Sequence, residues 1–267
     1  MTRRVALIVG FIFLYAPIAS LIVFSFNENR LVTVWSGFSL KWYAQIFRDP
    51  QLIDATLLSL RIALWSATLA LVIGTLAAFA LVRIGRFRGR PLLTAGVTAP
   101  LVMPDVVIGL SLLLLFVSMD QAIGWPGARG ATTIIIAHAT FSAAFVTVVV
   151  QSRLSTMERD IEEAAMDLGA PHWRVVLDIT LPVMAPALAS AWLLAFTLSF
   201  DDLVVASFVS GPGASTLPIV IFSKVRLGVS PDVNALATLL IASVALVGLA
   251  ALLLLRTRKD AHRPERA

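Results

Sequence analysis

Three carboxylates stand in stretches of sequence that otherwise avoid charge. Asp105, Asp201 and Asp202 lie within or at the ends of long apolar runs, with no Lys or Arg deep beside them. An ionised aspartate at the centre of a bilayer costs about 2.5–3.5 kcal/mol on insertion scales, so each demands a reason. One reason is chemical: carboxylates along a passage would replace the water that a cationic solute sheds. The other is architectural, since Asp is a favoured helix N-cap and its charge complements the dipole of a restarted helix. Spacing alone does not separate the two. Other chemistries lack their residues. There are no cysteines, which excludes disulfides and cysteine-based metal or redox sites. The three histidines form no tight cluster with carboxylates, so no metal site is expected. No Gly-x-x-x-x-Gly-Lys-[Ser/Thr] phosphate loop occurs, so the chain should bind no nucleotide, need no cofactor and catalyse nothing alone. His138 and Gln151 suit inter-helical hydrogen bonding.

The elements that must position these acids are membrane spans. The chain is 58% hydrophobic and 14% charged, against about 25% charged for a soluble domain, and its mean hydropathy is +0.90. Uncharged runs occur at Val5–Phe26, Ile62–Val82 and Asn234–Leu255, with Ala131–Ser152 broken only by His138. Leu92–Met119 carries the single acid Asp105, and Val183–Phe200 spans with help from its neighbours. A helix needs about 20 apolar residues to cross a bilayer core. An all-α membrane protein with six transmembrane helices therefore accounts for the pattern. Asp105, about 13 residues or roughly 20 Å into its run, would lie near the midplane, after a break prepared by Pro100 and Pro104. Asp201 and Asp202 would lie towards the outer half. Leu203–Ser223, interrupted by Gly211-Pro212-Gly213 and Pro218, reads as a loop with room for a short re-entrant helix, covered by protein or lining a cavity.

Lys and Arg set the orientation. With both termini cytoplasmic, fourteen fall inside and seven outside, counting Arg61 at a span edge. The net charge of +5 is thus a determinant of topology rather than a nucleic-acid footprint. The first run is too long for a signal peptide's apolar core and reads as an uncleaved span. Asn27–Asp54 becomes an outside loop whose Trp35, Phe38, Trp42, Tyr43 and Phe47 suit either lipid anchoring or a partner. No linker divides residues 1–267, which read as a single domain ending in a disordered cytoplasmic tail, 256–267.

The same orientation puts residues 153–182 in the cytoplasm. Leu154, Met157, Ile161, Ala164 and Leu168 recur at helical steps, with Glu158, Arg159, Glu162 and Glu163 off that stripe, facing solvent or a partner. Gly169 fits a left-handed helix stop and Pro171 a new start. Trp173, Val176 and Leu177 give the second helix an apolar face, and Leu181-Pro182 stops it. Six acids outnumber three arginines here, whereas helices lying on membranes carry Lys and Arg. An acidic face suits a protein partner.

Glu163, Ala164, Ala165, Gly169, Ile179, Leu181 and Pro182 keep the spacing of the EAA loop of ABC importer permeases, which the chain resembles at those seven positions. The resemblance implies a type I-like permease fold in a bacterial inner membrane. It implies that this loop fits a groove on a separate ATPase, with Glu163 as polar anchor, Ala164 and Ala165 as close-packed surface, Gly169 as turn, and Asp167 and Pro182 in the same coupling element. Met103–Gly109, Ser199–Leu203, Phe208–Gly213 with Leu217-Pro218, and Lys224–Ala237 resemble the polyamine branch, closest to the putrescine-type second permease. Expected partners are a homologous second permease, two copies of the ATPase, an external solute-binding protein, membrane lipid and a polyamine such as putrescine or spermidine, with Asp105, Asp201 and Asp202 along its path. Iron(III), sulfate and molybdate importers share the loop. A secondary transporter would instead carry a coupling-ion site and visible repeats, and neither is seen.

Overall fold

The computed structural model describes residues 2–30, 34–228 and 231–260. Every regular element among them is helical, with one isolated antiparallel bridge, Asn27–Phe38. In order they are α1 (Thr2–Phe24), α2 (Lys41–Ile46), α3 (Pro50–Val82), α4 (Arg90–Val102), α5 (Asp105–Ile123), α6 (Ala131–Thr156), α7 (Asp160–Asp167) and α8 (His172–Arg174). A π-helical turn (Val175–Thr180) follows, then α9 (Leu181–Phe200), α10 (Val204–Val209), α11 (Leu217–Leu227) and α12 (Pro231–Asp260). Among the described residues, five stretches are long and apolar enough to cross a membrane: Arg4–Phe24, Pro50–Val82, Asp105–Ile123, Ala131–Thr156 and His172–Phe200.

The break expected at the prolines of Leu92–Met119 is present, because Met103 and Pro104 are extended at ψ 137° and 141° and separate α4 from α5. The residue before a proline is pushed out of the helical region, so the break falls where Pro104 dictates. Asp105 consequently opens a helix. Two other expectations change. Leu203–Ser223 holds two helical pieces, α10 and the start of α11, rather than a loop with one. The α12 helix continues to Asp260, taking in Arg256–Asp260 from the expected irregular tail. Arg and Lys are good helix formers. Residues 261–267 of that tail, 31–33 of the outer loop and 229–230 of the Lys224–Ala237 motif lie outside the described residues.

The chain forms two compact units, 1–53 with 221–267, and 54–220. In the first, α12 packs on α1 and α2. The aromatic loop folds around buried Asn27, whose side chain donates to Val34 O (2.7 Å) and accepts from Ser36 N (3.1 Å). Trp42 Nε1 donates to Asn27 O at 2.7 Å, and Tyr43 shares a 2.6 Å hydrogen bond with Ser25. Trp42 and Tyr43 are thus structural, while Trp35, Phe38 and Phe47 stay exposed. Lys224 Nζ bridges Asp49 (2.9 Å) and Asp232 (3.2 Å). Burial pushes the Asp49 carboxyl up, but the Lys224 hydrogen bond and charge outweigh it and hold Asp49 below the ordinary range. Burial likewise presses Lys224 down, and its two acids lift it above the ordinary lysine value.

The second unit is built on α3, α6 and α9. Ala67, Ala70, Ala78, Ala143, Ala191 and Ala195, with Val146, Leu154 and Met184, form one core cluster. Small residues let helix backbones approach without a hydrophobic drive from lipid. Gly74 illustrates the closeness: a Cβ there would lie 2.6 Å from Val146 Cγ1. A second cluster gathers Ile62, Phe116, Ile134, Phe141, Val205 and Val209. There α10 packs on α5, and Gly109 makes room for Phe208, 2.7 Å from where a Cβ would sit.

Candidate functional site

Two places in the second unit gather the residues with chemical potential. The first lies where α9 ends and α10 begins. Asp201 is the residue just after the end of α9, its C-cap, and Asp202 follows before the chain turns into α10. Asp105, in the first turn of α5, joins them. All three line one cavity of about 360 Å³ with Pro100, Phe141, Phe145 and Leu198. Residues 96 positions apart in sequence thus meet because the break at Met103-Pro104 delivers Asp105 to the α9–α10 corner.

The three acids are not equivalent. Asp202 accepts from Ala206 N at 2.7 Å and Val205 N at 3.3 Å, capping the first turn of α10. His138 Nε2 lies 3.2 Å from Asp202 Oδ2 without forming a hydrogen bond. His138 Nδ1 pairs with Ser199 Oγ at 2.7 Å, the inter-helical bond expected of this residue. Gln151 lines a separate cavity of mixed character with Arg90, Thr94, Thr98 and Leu101. Asp201 and Asp105 are exposed. The capping reading therefore describes Asp202, while Asp105 makes no side-chain cap bond and complements the helix dipole only by position. Sequence carries no signal that Ser199 is the partner of His138, since 61 residues separate them.

The second place is the loop 153–182. The stripe from Leu154 to Leu168 does not lie on one helix. The α6 helix ends at Thr156, Met157 is extended at ψ 124°, and α7 restarts at Asp160. Asp160, Glu162 and Glu163 in its first turn favour that new start through the helix dipole. Gly169 takes φ +89°, the left-handed stop that its type allows. Pro171 then caps α8. Leu181-Pro182 does not stop the second helix: helical structure is continuous over His172–Phe200. Pro182 has no N–H to give the preceding turn, and the wider π-helical turn Val175–Thr180 takes up the mismatch.

Exposure here runs against amphipathic expectation. Ile161 (58%), Leu168 (90%), Trp173 (60%) and Leu177 (53%) are exposed, and Arg174 lies over the Trp173 ring at 5.3 Å. Glu163, Ala164, Asp167, Gly169 and Pro182 are exposed as well, with Ala165 half-buried. Glu162, expected to face outwards, is instead buried, accepting from Arg83 Nη2 at 3.1 Å and Thr180 Oγ1 at 2.8 Å. Neither Arg83 nor Thr180 was legible as its partner, since 79 and 18 residues separate the pairs. The loop thus exposes large apolar side chains together with Glu163 and Asp167, a composition that suits a protein partner.

Comparison with known proteins follows the same lines. Residues 70–259 match the family described as "binding-protein-dependent transport system inner membrane component". The chain is 58% identical over 246 residues to the putrescine transport system permease protein PotI of Escherichia coli K12, covering 92% of this chain and 88% of that protein. It is 42% identical to the spermidine/putrescine transport system permease protein PotC of Haemophilus influenzae, covering 97% and 98%. Among solved structures, a bacterial ABC transporter involved in alginate import superposes with a TM-score of 0.71 at 17% identity, over 94% of each chain. The MetNI methionine ABC transporter does so at 0.61 and 20%, over 77% of this chain and 95% of that one. At such identities these two establish the fold alone.

Proposed function

The chain belongs to the family of binding-protein-dependent transport system inner membrane components, and we propose that it is a polyamine-importing permease subunit of a bacterial inner membrane. It is a multi-pass membrane protein. In this reading α4 and α5 form one broken span, and α12 supplies the sixth, both termini being cytoplasmic. It pairs with a homologous permease, two copies of an ATPase and an external solute-binding protein. ATP binding closes the ATPase pair, the loop 153–182 carries that motion into the spans, and the passage opens outward to receive the solute. Hydrolysis resets it.

The observation that carries the substrate class is the cavity shared by Asp105, Asp201 and Asp202, in a chain similar over most of its length to putrescine and spermidine/putrescine permeases. A dication shedding water needs carboxylate oxygens to replace that water. Asp202 is engaged with the α10 N–H groups, which leaves Asp105 and Asp201 exposed to meet its two ammonium ends. Broken backbone beside them is tolerated because it lines the cavity. On the cytoplasmic side, Ile161, Leu168, Trp173 and Leu177 form the face offered to the ATPase, with Glu163 and Asp167 as its polar rim.

The test is uptake of labelled putrescine by cells lacking this gene and restored with wild-type protein, with unlabelled spermidine and unlabelled sulfate as competitors. Restoration, with competition by spermidine alone, supports the polyamine reading. Competition by sulfate, or no putrescine uptake from stably expressed protein, discards it.

A further inference from the structure

The buried member of the Glu162–Glu163 doublet does something that a docking surface does not require. Among the acids of the loop, Glu162 alone is buried. Its Oε1 receives Arg83, just beyond the end of α3, and Thr180, the last residue before α9. A second arginine repeats the bridge, with Arg159 Nη2 donating to Val82 O at 3.3 Å. Burying such a pair costs desolvation, and apolar residues in its place are often neutral or stabilising. What a charged pair adds is register. The need for register is visible in the backbone: α7 is joined to α6 through extended Met157 and to α8 through Gly169 at φ +89°. Both connections are points about which a short helix can pivot.

We propose that Glu162, with Arg83 and Thr180, is a latch that fixes α7 to the ends of α3 and α9. Glu162 is a positioning residue in this account, and it touches neither solute nor nucleotide. A push on the exposed face of α7 is then carried into two spans rather than absorbed at the two pivots. The inference rests on reading 153–182 as the ATPase-coupling loop.

The natural chain has no cysteine, so Val204→Cys, which lines the acid cavity, gives one reporter in this subunit, its labelling read on this subunit's own band. Its maleimide labelling rate is measured in the assembled complex with and without ATP, alongside retention of the ATPase. In the otherwise wild-type complex ATP changes the rate. Glu162→Gln keeps an acceptor for Thr180 and retains the ATPase, yet the ATP-dependent change shrinks about tenfold, within the range that coupling mutations produce. Arg83→Glu behaves alike, and the charge-swapped pair Arg83→Glu with Glu162→Arg regains the response, which a loss of folding would not. An undiminished response in Glu162→Gln, or a folded swap that stays unresponsive, overturns the latch. A reporter complex with Glu162 intact that sheds the ATPase, or ignores ATP, overturns the coupling reading and the latch with it.

Discussion

The acid cavity and the cytoplasmic loop each present a doublet of carboxylates, Asp201-Asp202 and Glu162-Glu163, and each doublet is divided between structure and surface. On α7 neighbouring residues point about 100° apart, which turns Glu162 inward while Glu163 faces out, and at the cavity the chain bends between Asp201 and Asp202. At the cavity Asp202 is held by α10 and lies beside His138, while Asp201 is exposed. At the loop Glu162 is held by Arg83 and Thr180, while Glu163 is exposed. The difference between them is range. Asp202 satisfies N–H groups three and four residues away, a local matter of starting a helix. Glu162 reaches an arginine 79 residues away and binds separate helices together. Removing the first should loosen a corner; removing the second should loosen a joint.

The largest effect expected from this contrast is on stability at the joint. Glu162→Ala leaves the part-buried Arg83 guanidinium without its carboxylate and should cost about 2–3 kcal/mol, as for a charged hydrogen-bonding group left without its partner. Glu163→Ala should stay within about 0.5 kcal/mol, as for an ordinary surface change. Thermal unfolding of the two purified proteins checks this, and equal melting temperatures would erase the distinction. At the corner, Asp202→Ala should cost about 1–2 kcal/mol, the usual loss of a helix cap. Asp201→Asn should leave the melting temperature unchanged while lowering uptake. A further step down, Gly169→Ala should cost about 1 kcal/mol, since its left-handed φ tolerates a side chain poorly. Limited proteolysis of the loop would register that loss.

The smallest effect separates both doublets from the ion cluster of the other unit. Asp49 is held below its ordinary value, so its contribution is present above about pH 4 and is lost as pH falls through the lowered folded value. Lys224 is held above its ordinary value, so its contribution is complete below about pH 10.4 and is lost as pH rises through the raised one. Unfolding of wild type and Lys224→Met should therefore differ by a constant amount between those limits. A difference that varies between pH 6 and 8 would contradict the assignment.

Sequence made the helical class legible because long apolar runs have few other solutions, and it placed Gly169 correctly because few residues adopt its φ. Both are local signals. It did not resolve which acid of a doublet turns inward, because that depends on Arg83 and Thr180 arriving from elsewhere. The apolar stripe Leu154–Leu168 misled for a related reason: helical spacing persists across the break at Met157, although the two halves belong to different helices. A proline inside an α-helix costs a hydrogen bond, so Pro182 looks like a stop in sequence, but a π-helical turn absorbs it. Asp105 fell between these cases. Pro100 and Pro104 announced a break, and only the fold brought the residue after it to Asp201.

The most direct test of the divided doublet is the initial rate of labelled putrescine uptake per assembled transporter in Asp201→Asn, set against wild type. The account predicts a fall of about tenfold or more, as for a lost contact to a charged group, with assembly and melting temperature unchanged. Wild-type uptake in Asp201→Asn would contradict it, because the exposed acid would then have no part in the passage.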